Sequence, residues 1–191
     1  MARTPSTMLK LGTQAPDFSL LEPLTNCVRS LLEFENQPVL IVFSCNHCPY
    51  VLHIIQSFCE VAAHYQEKGL QTIWINANDV ENFSNDSPEK MIQLSNDYSF
   101  SFPYLYDETQ QVAKSYQAAC TPDLFLFDAS HKLVYRGQYD NSRPGNEEPI
   151  TGHDLKQAIN ALFSGNTISV DQTPSLGCNV KWKAGNEPEY S

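Results

Sequence analysis

A chain of 191 residues with 22 acidic and 12 basic side chains and a formal charge of −10 has the length of one domain and enough apolar sequence for a substantial core. Its Lys and Arg residues are scattered singly, which argues against a nucleic-acid surface, and the acidic excess mainly keeps the chain in solution. No stretch approaches membrane-span length, residues 1–11 lack the apolar core of a secretory signal, and six irregularly spaced cysteines are too few for a secreted disulfide scaffold. The expectations are a cytoplasmic protein that contacts no membrane and cysteines used for chemistry.

Residues 1–15 are polar, contain Pro5 and lack an apolar period, so they read as a loosely held arm. Asp17-Phe18-Ser19-Leu20 and Cys27-Val28-Arg29-Ser30-Leu31 alternate across a Glu-Pro-Leu-Thr-Asn turn and predict an N-terminal hairpin, with Cys27 assigned no role. Val39-Leu40-Ile41-Val42-Phe43 is an unbroken apolar run, the pattern of a strand covered on both faces. Beyond it Val51, Ile54, Ile55, Phe58, Ala62 and Tyr65 recur at helical spacing up to Lys68-Gly69. Cys59 lies beside that stripe as core, and His53 and His64 read as surface or capping residues.

Gln71–Asn76 follows as a strand, completing a right-handed parallel βαβ unit. Residues 78–87 read as a polar loop, and Ser87-Pro88 opens a helix through about Tyr98 with Met91, Leu94 and Tyr98 inward. Phe100, Phe102, Tyr104 and Tyr106 alternate around Pro103 as a short strand whose rings pack in the core, and Glu108–Tyr116 fits a short helix. Asp123–Phe127 and Leu133–Gly137 predict an antiparallel hairpin at the sheet's end. Residues 140–152 form a loop, Leu155 to Phe163 a helix, and 166–191 an irregular tail packed on the domain through anchors such as Trp182 and Tyr190.

Cys45-Asn46-His47-Cys48-Pro49 sits where the buried strand becomes a helix. A thiol attacks only as thiolate, and an unperturbed pKa of about 8.5 leaves it mostly protonated at neutral pH. Helix N-terminal amides and His47 would both favour ionisation of Cys45, while Pro49 suits a first helical turn. Cys45 is then the nucleophile toward a disulfide and Cys48 the resolving thiol, a mechanism needing no metal or organic cofactor. A half zinc site is the passive alternative, and it would require two more ligands.

With Thr121-Pro122 before a later strand, these residues resemble the thioredoxin superfamily. Ala15-Pro16-Asp17-Phe18, the Cys-Asn-His-Cys-Pro-Tyr run, Ser142-Arg143-Pro144-Gly145-Asn146 and Pro174–Trp182 resemble more closely its redoxin-like, AhpC/TSA-like branch, over nearly the whole chain. The resemblance implies an α/β thioredoxin-like fold over residues 1–191 as a single domain: a central mixed sheet flanked by helices, with an N-terminal hairpin and an irregular C-terminal tail. It implies a cis-Pro122 facing the cysteines and a Thr121 backbone that pairs with an extended substrate. Cys120 would lie near the pair, either as a third redox thiol or as an inert buried cysteine, and the tail with Cys178 could fold back over the site.

Two departures from thioredoxin proper stand out: Ser44 replaces its Trp, and residues 39–43 contain no acid, so proton transfer must use another group or water. A His between the cysteines resembles isomerases and oxidants, because a stabilised thiolate raises the reduction potential. The leading expectation is a thiol–disulfide oxidoreductase or isomerase acting on protein or small-molecule disulfides with an external thiol reductant. A peroxidase ranks lower, because Cys45 stands where peroxiredoxins carry a Thr hydroxyl. The non-enzymatic alternative is a metal-carrying module in which His53 completes a thiolate site.

Overall fold

The computed structural model describes residues 3–190. In chain order its elements are β1 (Arg3–Pro5), β2 (Ser19–Glu22), β3 (Cys27–Ser30), β4 (Val39–Phe43), α1 (Pro49–Gln66), β5 (Gln71–Asn76) and α2 (Pro88–Asp97). They continue with β6 (Tyr104–Tyr106), α3 (Gln111–Ser115), β7 (Cys120–Thr121), β8 (Asp123–Phe127), β9 (Leu133–Tyr135), α4 (His153–Phe163) and β10 (Leu176–Asn179).

The apolar run of β4 is buried at all five positions because it lies inside a seven-stranded mixed sheet of order β3-β2-β6-β5-β4-β8-β9. It pairs in parallel with β5, from Val39 opposite Gln71 to Phe43 opposite Ile75, and antiparallel with β8, where Phe43 faces Asp123. Strand alternation sends Leu40, Val42 and Trp74 to one face, under Ile55 and Phe58 of α1 and Leu155 and Ile159 of α4. Val39, Ile41, Phe43, Ile73 and Ile75 go to the other, with Leu31, Ala113, Tyr116 and Phe125. Full burial of each such aliphatic or aromatic side chain is worth about 1.5–3 kcal/mol before conformational entropy is counted, so the two faces together hold β4 rigidly.

The expected βαβ unit and both hairpins are present. The aromatic run pairs only from Tyr104, since Phe100 and Phe102 precede the strand, stack at 4.6 Å and pack against Trp74. The Tyr98 ring expected inward is only partly buried, and Ser95 joins Met91 and Leu94 on the inner side of α2.

The N-terminal arm is not loose, and the packed tail is not wholly irregular. Arg3–Pro5 is a strand, and the tail 166–191 contains another, so that β1, β10 and β7 form a second, three-stranded antiparallel sheet. Ser6 closes the joint: its N–H donates to Ser175 O and its hydroxyl to the buried Asp123 carboxylate at 2.8 Å. The β1–β10 pairing and the Ser6 contacts join segments more than a hundred residues apart, and the β10–β7 pairing joins segments nearly sixty apart, so no local period announces them.

Candidate functional site

Helix α1 begins at Pro49, which lacks an N–H where none would be paired, and Cys48 is its N-cap. Cys45 is 1% and Cys48 0% exposed. The Cys45 sulfur lies 3.5 Å from Thr121 Oγ1, and the Cys48 sulfur lies 3.1 Å from the Thr121 carbonyl oxygen. The Thr121–Pro122 bond is cis, as the resemblance implied. Four expected residues are therefore brought to one place by α1 and the β7–β8 junction.

The third thiol at the site is Cys178, whose sulfur lies 3.0 Å from that of Cys48. Cys120, read as either a third redox thiol or an inert buried cysteine, is fully buried and directs its sulfur to Pro122 O at 3.6 Å. Neighbouring residues of a strand face opposite ways, so a Thr121 side chain aimed at Cys45 turns Cys120 away. The Thr121 backbone edge, expected to receive an extended substrate, is already paired with β10.

His47, expected to favour ionisation of Cys45, meets a carboxylate. Its Nδ1 lies 2.8 Å from Asp86 Oδ2, and its ring stacks parallel to Phe83 with centroids 6.0 Å apart. Asp86 comes from the 78–87 loop read as merely polar, yet it is fully buried; it accepts the Asn46 N–H and the Asn78 side-chain amide, each at 2.8 Å. Tyr104 donates its hydroxyl to Asn46 Oδ1 at 3.0 Å, so both residues between the cysteines are pinned. Asp86 is thus a buried acid close to Cys45, whereas the strand β4 carries none. Nothing local distinguishes it from its neighbours in Ser84-Asn85-Asp86; only the close packing of that turn on residues 46 and 47 reveals it.

Cys45, His47 and Asp86 offer ligand atoms all within 4.8 Å of one another. Three ligands fall one short of a closed tetrahedral zinc site, and the 2.8 Å His47–Asp86 separation is a hydrogen-bonding distance. His53, expected in a metal-carrying module to complete the site, is not in this group. It lines a small cavity of about 20 Å³ with Pro122, Tyr139, Arg143 and Leu176, where its Nε2 has no hydrogen-bond partner among the described residues.

The site's electrostatics place the proton shared by the pair on Cys45. Cys48 is pushed down to about 5, first by its hydrogen bond with Cys45 and, against burial, by Cys178, the Thr121 hydroxyl and the Val51 N–H. Cys45 is held well above the usual thiol range by the shared hydrogen bond, burial and the Asp86 charge. Cys178 is raised to about 12, chiefly by burial and then by Cys48. The physical reason is chiefly the proton shared between the two sulfurs, which sits on Cys45 beside the Asp86 anion, with Cys178, Thr121 and the Val51 N–H adding to the lowering of Cys48.

One thiolate, on Cys48, is thus expected in the reduced protein. Absorbance at 240 nm should show a single step near pH 5, which disappears in the oxidised protein and in Cys48→Ser. The lowered pKa favours the reduced pair fully above the ordinary thiol value, by progressively less as pH falls below it, and the advantage is lost as pH falls through about 5. Ionisation only above pH 8 would contradict this assignment.

A family model described as the AhpC/TSA family matches residues 11–136. The chain is 27% identical over 129 residues to the thiol-disulfide oxidoreductase ResA of Halalkalibacterium halodurans, covering 67% of this chain and 68% of that protein. The crystal structure of an uncharacterised conserved protein from Geobacillus kaustophilus is 44% identical, superposes with a TM-score of 0.93, and is covered over 97% of its length by 96% of this chain. A thiol:disulfide interchange protein of the thioredoxin family from Chlorobium tepidum, 14% identical with a TM-score of 0.62 over 81% of this chain and 98% of that one, shares the fold. The thioredoxin-like α/β architecture expected from the motifs is the one found.

Proposed function

The chain belongs to the AhpC/TSA family, and from that premise we propose that it is a thiol–disulfide oxidoreductase working through Cys45 and Cys48. The observation that carries this reading is a Cys48 sulfur at the head of α1, with Cys45 as its hydrogen-bonded partner and Thr121–cis-Pro122 opposite.

The Cys48 thiolate attacks one sulfur of an external disulfide; the substrate S–S bond breaks, and the departing thiolate takes a proton from solvent. Cys45 then gives up its proton and attacks the Cys48 sulfur, releasing the second substrate thiol and leaving a Cys45–Cys48 disulfide. Two electrons pass to the substrate, and an external thiol restores the pair. No organic cofactor enters.

The test is reduction of insulin disulfides with dithiothreitol as donor: catalysis above the uncatalysed rate is expected, and its absence overturns the reading. Because a stabilised thiolate favours the reduced form, titration against glutathione should place the pair above the roughly −270 mV of thioredoxin, on the isomerase or oxidant side.

A thiol-dependent peroxidase is the second reading, favoured by the Thr121 hydroxyl beside the pair. That hydroxyl stands in for the one Cys45 replaces in sequence. Peroxide consumption coupled to thiol consumption, without insulin reduction, would select it.

A further inference from the structure

The edge of β7 beside cis-Pro122 is filled by the chain's own β10, with Cys178 opposite Thr121 and Asn179 opposite Cys120. On its far side β10 is held by β1, where Arg3, Thr4 and Pro5 face Cys178, Gly177 and Leu176. Beyond its end, the Val180 N–H donates to Ala119 O. The approach is so close that only glycine fits at 177, since a Cβ there would stand 2.0 Å from the Thr121 carbonyl oxygen. This clamp brings the Cys178 sulfur to 3.0 Å from Cys48, within about 1 Å of the roughly 2.05 Å bonding distance. Cys178 is 4% exposed, so the thiol facing it is Cys48 rather than solvent.

We propose that Cys178 is a third redox thiol of this site, and that β10 is a tethered strand which receives the Cys45–Cys48 disulfide as a Cys48–Cys178 bond and so latches the substrate edge shut. The inference rests on the dithiol reading of the pair. Cys178, deprotonated, attacks the Cys48 sulfur with its own electron pair; the Cys48–Cys178 bond forms and the Cys45–Cys48 bond breaks. Cys45 leaves with the electron pair and takes up the proton that Cys178 released. One disulfide and one thiol stand on each side, so no oxidant or reductant is consumed, and the initial disulfide comes from a substrate disulfide. In the Cys45–Cys48 state β10 is held only by hydrogen bonds and can be displaced by substrate. In the Cys48–Cys178 state it is tied down.

Trypsin places Cys45 and Cys48 on one peptide, residues 30–68, and Cys178 on another, 157–181. The full-length Cys45→Ser protein is oxidised with oxidised glutathione, alkylated under denaturing conditions and digested without reduction. The two peptides should be joined in most molecules, with fragment ions placing the bond at Cys48. Adding Gly177→Ala, which displaces β10 from Thr121, should lower that yield at least tenfold. In the wild type the ratio of the two disulfides should stay constant over a hundredfold change in the ratio of reduced to oxidised glutathione, because their exchange is redox-neutral. Cys48 recovered as a glutathione mixed disulfide with Cys178 alkylated, or no joined peptides in the wild type, overturns the third thiol. Failure of Cys178→Ser to form a Cys45–Cys48 disulfide would instead overturn the dithiol reading itself.

Discussion

Cys48→Ser is expected to lower insulin-disulfide reduction by on the order of 10³-fold or more, the loss typical of removing a nucleophile outright. A serine hydroxyl at the α1 N-cap can still accept an amide hydrogen bond, so the fold should survive, but it is not ionised near neutral pH and forms no disulfide. The 240 nm step near pH 5 should vanish with it, because that ionisation belongs to Cys48. Cys45→Ser should differ in kind. It keeps a sulfur that is lowered by Cys178, the Thr121 hydroxyl and the Val51 N–H, though less so without its strongest partner, and it loses turnover by failing to release substrate through the pair. Retention of more than about a tenth of the wild-type rate by Cys48→Ser, or loss of the low-pH step only in Cys45→Ser, would return the nucleophile to Cys45.

The second large effect is on stability. Asp123→Ala should cost about 3–5 kcal/mol, the penalty for stranding a buried charge. For a chain of this size that corresponds to a melting temperature lower by roughly 6–20 °C. Arg136 is 0% exposed, and its guanidinium meets Asp123 Oδ2 at 3.4 Å, donates to Gln117 O at 2.8 Å and stacks over Phe125 at 4.5 Å. Burial pushes the Asp123 carboxyl up while Arg136 holds it down, so each charge is tolerated because of the other. Removing the carboxylate also strands the Ser6 hydroxyl and the Ala119 N–H that it accepts. Asp123→Leu combined with Arg136→Met removes both charges and should recover most of the loss in a denaturant titration. A single-variant loss below about 1 kcal/mol would show that the guanidinium is satisfied without its partner.

Asp123 also shows where reading residues in order reaches its limit. In sequence it is the first residue of an apolar strand; in the fold it is a buried hub reached by Ser6 from the far end of the chain. Asp86 and Cys178 are comparable. One lay in a loop read as polar and the other in a tail whose place was left open, yet each ends within about 3 Å of the residues between or at the cysteine pair. Cys120 lies close enough to Cys48 and Cys178 to feel their charges, yet its sulfur is directed to Pro122 O.

By itself the sequence determined the parts governed by short-range periodicity. These are the buried strand β4, the amphipathic α1 with its Pro49 start, the parallel return through β5, and a pair of thiols at a strand-to-helix junction; the cis-proline facing them came from the family resemblance. Tertiary structure alone decided what surrounds each thiol and what covers the pair. The lowering of Cys48 depends first on its hydrogen bond with Cys45, then on Cys178 and Thr121, and the raising of Cys45 depends in part on an Asp86 carboxylate that meets the Asn46 N–H from forty residues away. The covering strand depends on pairing Cys178 with Thr121, 57 residues earlier. Such contacts are selected by closure of the whole chain around its core, and no local pattern of residue types encodes them.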